Sequence, residues 1–143
     1  MIAASHSFAN NIIEGNLGSK IQGEVISKFN YPWSLSFIDN DHLLVATKPG
    51  KLWLVDSFGS KTEVKNIMNV QYGGQGGMGD VVPHPNYKKN KYIYLSYITS
   101  DDGGKTRYAV VDRAKLSDLN SPKLENRQRI WEQFPAVKGK GHF

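Results

Sequence analysis

Apolar and polar residues alternate in short runs along most of this chain, and turn-forming residues separate the runs. SLSFI (34–38) alternates strictly, LLVAT (43–47) and LWLVD (52–56) are apolar runs, and DNDH and KPGK lie between them. Alternation with a period of two, bounded by Asn, Asp, Gly and Pro, predicts β-strands joined by tight turns. We therefore expect an antiparallel meander over residues 34–56.

A second unit of the same kind follows. GMGDVV (77–82) is an apolar run, YIYLSYI (92–98) alternates aromatic and aliphatic residues, and TRYAVVDRAKL (106–116) forms the next strand. Trp33 and Met78, which open the two units, stand 45 residues apart. A repeat of about this length with about four short strands is typical of a β-propeller blade. The sequence therefore predicts an all-β fold of four-stranded antiparallel blades.

Two blades do not close a ring, because propellers use about four to eight. An open arc leaves strand edges unpaired, and such edges invite association with another chain. Either the chain is a fragment, or its copies assemble. We therefore expect self-association through the exposed blade edges, either as a trimeric pseudo-propeller or as a strand-swapped dimer.

Composition narrows the class of protein further. The 143 residues are 39% hydrophobic and include no cysteine, so a buried core is expected and disulfides or thiolate metal sites are not. The net charge of +5 comes from scattered lysines with acidic residues between them, which argues against a nucleic-acid partner. No run is long enough for a membrane span, and the first residues do not form an intact signal peptide.

The glycine-rich run YGGQGGMGDV (72–81) is the densest chemical signal. Five glycines surround Gln75, so the backbone can approach a ligand closely and the amide is presented without crowding. The alternative is a tight crossover between blades that needs glycine for its geometry alone. The run is neither a P-loop nor a dinucleotide fingerprint, because it has no Gly-Lys-Ser/Thr ending and no following helix.

His142, in the terminal KGKGHF, is the second candidate. Histidine titrates near neutrality and is the commonest general base. A histidine without a visible partner is more often a solvated side chain in a frayed tail, and the spacing leaves both readings open. His6, His42 and His84 lie in a leader, a turn and a connection, and no spacing of ligand residues predicts a metal site.

Three segments together resemble the pyrroloquinoline-quinone (PQQ)-dependent sugar dehydrogenases, the glucose/sorbosone dehydrogenase family. YPWSLSFIDNDHLLVATKPGKLWLVD (31–56) is similar to the opening blade of that family. GGQGGMGDVVPHPNYKKNKYIYLSY (73–97) is similar to its next signature, and KGKGHF (138–143) to the start of its His-Phe-Gly-Gly-Arg motif. The three motifs occur in family order over residues 29–143.

The resemblance implies about two to three blades of a six-bladed propeller, with PQQ and calcium at the top of its funnel. It also implies that the enzyme oxidises the anomeric carbon of an aldose sugar to a lactone while hydride passes to PQQ. His142 would be the general base and would lie against the cofactor, and Gln75 would be a substrate-binding residue. The location implied is periplasmic or secreted.

The departures from the family pattern limit what is expected of this chain. Met78 and Gly79 replace a Leu-Leu pair, and Gly141 precedes His142 where some glucose-active members have an aspartate. We expect residues 1–24 to be a leader or an outer strand, and residues 25–143 to be a partial propeller that is inactive by itself. The alternative function is a non-catalytic binding propeller of the same fold.

Overall fold

The computed structural model describes residues 11–141. These described residues form eleven strands and one single-turn helix, and every strand pair within a sheet is antiparallel. The predicted all-β class is therefore confirmed. A strand forms at each alternating or apolar run identified in the sequence, further strands form outside those runs, and turns form at the Asn, Asp and Gly clusters.

The first four-stranded sheet covers residues 32–63. Its strands are β3 (Pro32–Phe37), β4 (His42–Thr47), β5 (Lys51–Asp56) and β6 (Lys61–Glu63), hydrogen-bonded in that order. The meander was predicted, and the short β6 extends it beyond the SFGSK turn. Asp56 closes that turn, because its carboxylate accepts hydrogen bonds from the backbone N–H groups of Phe58 and Ser60.

The second sheet repeats the order and direction of the first. Its strands are β7 (Met78–Pro83), β8 (Tyr92–Thr99), β9 (Thr106–Leu116) and β10 (Leu124–Glu132), again neighbours in sequence order. A short strand, β11 (Val137–Lys138), pairs with the beginning of β9. Helix α1 (Tyr87–Asn90) lies in the connection between β7 and β8, which sequence reasoning treated as a turn.

A separate hairpin precedes the two sheets. Strands β1 (Asn11–Glu14) and β2 (Lys20–Gly23) pair only with each other among the described residues. The hairpin ends just before residue 25, where the propeller domain was predicted to begin. That boundary stays a prediction.

The two sheets pack face to face on a single apolar core. Strands β3 and β4 contact β7, and the Ser34 hydroxyl donates a hydrogen bond to the Gly79 carbonyl oxygen at 3.0 Å. Leucine side chains of the first sheet meet aliphatic and aromatic side chains of the second. The principal buried members are Leu44, Ala46, Leu52, Leu54, Met78, Val81, Ile93, Leu95, Tyr97 and Val110.

Candidate functional site

The glycine-rich loop, residues 72–77, lies at one end of the paired sheets, just before β7. We call this the site end; the turn between β4 and β5 lies there too. Gly73 and Gly76 exchange backbone hydrogen bonds of 3.3 and 3.0 Å, which closes a tight turn around Gln75. A Cβ atom on Gly74 would lie 2.3 Å from the Lys140 carbonyl oxygen, and one on Gly77 would lie 2.5 Å from the Lys48 carbonyl oxygen. The loop therefore requires glycine at both positions.

Residues 137–141 are ordered against this loop and do not form a frayed tail. Strand β11 pairs with Arg107 and Thr106, and the backbone N–H of Gln75 donates to the Lys140 carbonyl oxygen at 2.8 Å. A Cβ atom on Gly141 would lie 3.2 Å from Gln75 Oε1. Two motifs separated by some 65 residues in sequence thus meet at the site end.

His142, the predicted general base, lies outside the described residues, as do Phe143 and His6. Its chain neighbour Gly141 is next to the Gln75 side chain. The structure therefore brings together the two predicted segments of the site up to the residue before the histidine.

A cleft of about 280 Å³ opens beside Gln75. Its lining includes Lys48 and Trp33 of the first sheet and the glycines Gly77 and Gly79. The second sheet also contributes Met78, Tyr97, Ile98 and Ala109 to the lining. An apolar cleft with a few convergent polar groups is the usual form of a small-molecule site.

Met78 and Gly79, which replace the Leu-Leu pair of the family pattern, are explained by their contacts. Met78 is fully buried, so it supplies apolar volume to the cleft lining. A Cβ atom on Gly79 would lie 2.6 Å from the Ser96 hydroxyl oxygen, and that hydroxyl accepts a hydrogen bond from the Asp80 N–H at 2.8 Å. Glycine at position 79 therefore matches the serine across the strand pair.

Tyr97, which lines the cleft, belongs to a buried charged network that was missed by sequence reasoning. Asp112, only 1% exposed, accepts a hydrogen bond from the Tyr97 hydroxyl at 2.5 Å and one from Arg129 Nε at 2.7 Å. Burial and then the hydrogen bond to Asp112 raise the pKa of Tyr97 to about 12, so its phenol stays protonated near neutral pH. Burial alone would lower the pKa of Arg129, but its hydrogen bonds, first of all to Asp112, raise it above the ordinary value.

The remaining described histidines lie at the opposite end of the sheets and have structural contacts. His42 Nδ1 is 3.0 Å from Asp39 Oδ1 in the turn between β3 and β4. His84 Nδ1 accepts a hydrogen bond from the Asn86 N–H at 2.9 Å, and its ring stacks on Tyr94. These contacts agree with their expected places in a turn and a connection.

Among residues 11–141, no group of three or more His, Asp or Glu side chains could hold a metal ion. The described part of the chain also contains no helix long and apolar enough to cross a membrane.

Comparison with known proteins identifies the family. The model of the Glucose / Sorbosone dehydrogenase family matches residues 29–143, so the chain belongs to this family. The resemblance found in the sequence motifs is thereby confirmed, and the class of protein is that of sugar dehydrogenases.

Two relatives align with about four fifths of this chain. Aldose sugar dehydrogenase YliI of Escherichia coli (strain K12) is 32% identical over 119 residues, which cover 81% of this chain and 31% of YliI. An uncharacterized protein of Synechocystis, slr1608, is 27% identical over 128 residues, which cover 83% of this chain and 30% of slr1608. The chain therefore spans about a third of the length of these relatives.

Solved structures agree with the fold. A glucose dehydrogenase superposes with a TM-score of 0.72 at 32% identity, covering 79% of this chain and 35% of that chain. The apo form of the soluble aldose sugar dehydrogenase of Escherichia coli gives 0.72 at 28% identity, with coverages of 80% and 33%. The PQQ-bound aldose sugar dehydrogenase of Streptomyces coelicolor gives 0.62 at 23% identity, with coverages of 76% and 32%, and shares the fold.

Proposed function

We propose that this chain contributes two propeller blades and part of the substrate site to a PQQ-dependent enzyme. That enzyme oxidises the anomeric carbon of aldose sugars to lactones. The observation that carries the proposal is that Gly141, the residue before His142, lies next to Gln75, and that Gln75 lines the cleft. Membership of the sugar dehydrogenase family supports it.

In this proposal His142 takes the proton from the anomeric hydroxyl as general base. An imidazole suits this step because its pKa lies near the working pH, and such a base contributes about 10²- to 10⁴-fold to the rate. Gln75 binds the sugar, because a side-chain amide can both donate to and accept from hydroxyl groups. The quinone supplies the hydride chemistry when it is bound, with calcium as Lewis acid beside it.

The described residues do not by themselves fit the quinone or the calcium ion. PQQ carries several carboxylates, whereas Lys48 is the only cationic side chain among the described residues that line the cleft. No carboxylate cluster suitable for calcium occurs in residues 11–141. We therefore assign the cofactor contacts to residues outside this part of the protein.

This assignment predicts that the 143-residue chain is inactive by itself. The chain would be mixed with PQQ, calcium, a panel of aldoses and an electron-accepting dye. We expect dye reduction no faster than with free PQQ. Reduction well above that background would show that the chain alone holds a working cofactor site.

The proposed sugar oxidation is tested in the full protein. We expect aldose-dependent dye reduction that His142→Asn lowers about a hundredfold or more in kcat. Gln75→Ala should raise KM for the sugar about tenfold, since it removes a binding contact. No turnover of any aldose in the PQQ-loaded wild-type protein would favour a non-catalytic binding propeller.

Matched controls lie away from the site. His42→Asn alters a histidine at the far end of β4, about 20 Å from Lys48 by the rise of a strand. Gln22→Ala alters an exposed glutamine of β2. Neither should change kcat or KM. Equal losses in a control and its site variant would indicate a general effect on folding.

Location and assembly complete the proposal. We assign the enzyme to the periplasm or the outside of the cell, following the family resemblance. Self-association is supported by the internal repeat of the two sheets. The face of the second sheet that carries Met78 and Val81 is buried against the first sheet. The equivalent face of β3 exposes Trp33, Leu35 and Phe37, each about 60%.

A second copy of the chain can cover this apolar stripe. The outward face of the second sheet exposes Val82 and Trp131. In the repeat, this face corresponds to the face of the first sheet that packs against the second sheet. A head-to-tail contact between copies would therefore reproduce the packing already present within one chain.

Light scattering of the 143-residue chain tests this assembly. We expect oligomers at high concentration, which Phe37→Glu disperses and the matched change Phe58→Glu does not. Phe58 is 89% exposed and lies in the turn after β5, away from the stripe. A folded monomer of the wild-type chain at every concentration would contradict self-association.

A further inference from the structure

Lys48 contacts the chain on both sides of Gln75, at Gly74 within the glycine-rich loop and at Met78 just after it. Its side-chain Nζ donates a hydrogen bond to the Gly74 carbonyl oxygen at 3.1 Å. Its backbone carbonyl oxygen accepts a hydrogen bond from the Met78 N–H at 2.9 Å. One residue of the turn between β4 and β5 thus bonds to the backbone before and after Gln75.

Trp33 fixes the direction of the Lys48 side chain. The ammonium nitrogen lies 4.8 Å from the centre of the Trp33 ring, within the range of a cation–π interaction. The backbone at Lys48 is fixed as well, because its N–H donates to the Tyr31 carbonyl oxygen at 2.9 Å. The ammonium is therefore held between an aromatic face and a loop carbonyl.

We infer that Lys48 is a positioning residue that orients Gln75 toward the sugar, with Trp33 as its support. The inference rests on the proposed function, because it assigns Gln75 to substrate binding. On the other side of the loop, Lys140 holds the Gln75 backbone through its carbonyl oxygen. Lys48 and Lys140 therefore both bond to the loop backbone, Lys48 at Gly74 and Lys140 at Gln75.

The geometry specifies which substitutions preserve this role. Arginine keeps a donor for the Gly74 carbonyl oxygen and a cation for the Trp33 face. Methionine keeps most of the apolar length but can do neither. Lys48→Met should therefore loosen Gln75, whereas Lys48→Arg should hold it.

Steady-state kinetics of the full protein test the role. We expect Lys48→Met to raise KM for the aldose and to lower kcat/KM about tenfold or more, since small misplacements of a contact are costly. Lys48→Arg should stay within about threefold of wild type. In the Gln75→Ala background, Lys48→Met should add little further loss, because both changes weaken the same contact between Gln75 and the sugar. An additive loss, or a fall in kcat at constant KM with no rescue by arginine, would overturn the inference.

Hydrogen exchange gives a readout that does not depend on sugar oxidation. In Lys48→Met, the amide of Gln75 should exchange about fivefold faster, consistent with the loss of one loop hydrogen bond. The amide of Leu95 in the core should be unchanged. Unaltered exchange at Gln75 would overturn the positioning role, even in an active enzyme. If the wild-type protein oxidises no aldose, the proposed function fails while exchange still decides the role of Lys48 in the loop.

Discussion

The two ends of the paired sheets are held together in different ways. At the site end, backbone packs on glycine backbone, and Tyr97, which lines the cleft, connects this end to a buried network with Asp112 and Arg129. At the opposite end, side chains of Asp39 and His84 close exposed turns. The site end therefore depends on contacts that tolerate little change, whereas the opposite end depends on local hydrogen bonds near solvent.

The largest effect expected on stability is at Asp112. Asp112→Ala would leave Arg129 and the Tyr97 hydroxyl without their buried partner. Removing one partner of a buried ion pair costs about 3 kcal/mol of the free energy of unfolding. Urea unfolding at neutral pH measures this cost. Asp41→Ala, at an exposed position in the turn between β3 and β4, should change the free energy of unfolding by less than about 0.5 kcal/mol. Equal costs in both variants would remove the distinction between the two ends.

Gly74→Ala tests the backbone packing at the site end. The new Cβ would lie 2.3 Å from the Lys140 carbonyl oxygen, so residues 139–141 must move. We expect kcat/KM for the aldose to fall tens of fold in the full protein, because the segment leading to His142 is displaced.

Gly103→Ala is the control for backbone conformation. Gly103 also has a positive φ, +74°, but its Cβ would meet no atom within 4 Å. It should lose about 1 kcal/mol of stability and keep its kcat/KM. A comparable loss of activity in Gly103→Ala would mean that strain, and not contact with Lys140, explains the effect of Gly74→Ala.

Most of the fold could be predicted from the sequence, whereas the contacts that shape the site could not. Strands β3 to β5 and β7 to β9 follow from alternation and turn residues. Strand β10 was not recognised, because LENRQRIWE lies on an exposed edge and has no apolar period. Likewise, Asp112 of β9 is paired with Arg129 of β10 by a register that includes β-bulges, and alternation along a strand does not predict such a register.

The site was predicted in part, and for a related reason. Gln75 stands out because five glycines surround it. Lys48 resembles other lysines in turns, and its contact with Gly74 spans 26 residues of sequence. Its role depends on how the two sheets dock, which a local pattern does not encode.

Two buried tyrosines, one at each end, give a matched test of intermediate size. Tyr97→Phe should cost about 2 kcal/mol at neutral pH, because it removes a hydrogen bond to the carboxylate of Asp112. Tyr87→Phe, at the opposite end, should change stability by less than about 0.5 kcal/mol. The Tyr87 hydroxyl has no hydrogen-bond partner among residues 11–141.

Urea unfolding at alkaline pH provides a second test of Tyr97 and Tyr87. Burial is the main cause that raises the pKa of each phenol to about 12, from an ordinary value near 10. The folded state thus keeps a proton that the unfolded chain releases, so stability falls as pH rises from about 10 to 12. Each Phe variant should show a shallower fall than wild type in urea unfolding over this range. An unchanged slope in Tyr97→Phe would show that its phenol is not perturbed by folding.

The smallest effect is expected at Asp39, in the turn at the opposite end. Burial alone would raise the pKa of this carboxyl, but hydrogen bonds from the Asp41 N–H and from His42 outweigh it and lower the pKa. Its stabilising contribution is therefore present above its ordinary pKa and is lost as pH falls below it. Because the side chain is about a third exposed, solvent screens the interaction, and Asp39→Ala should cost less than about 1 kcal/mol at neutral pH. The variant should keep the kcat/KM of the full protein, and a loss of activity similar to that of Gly74→Ala would show that the two ends are coupled.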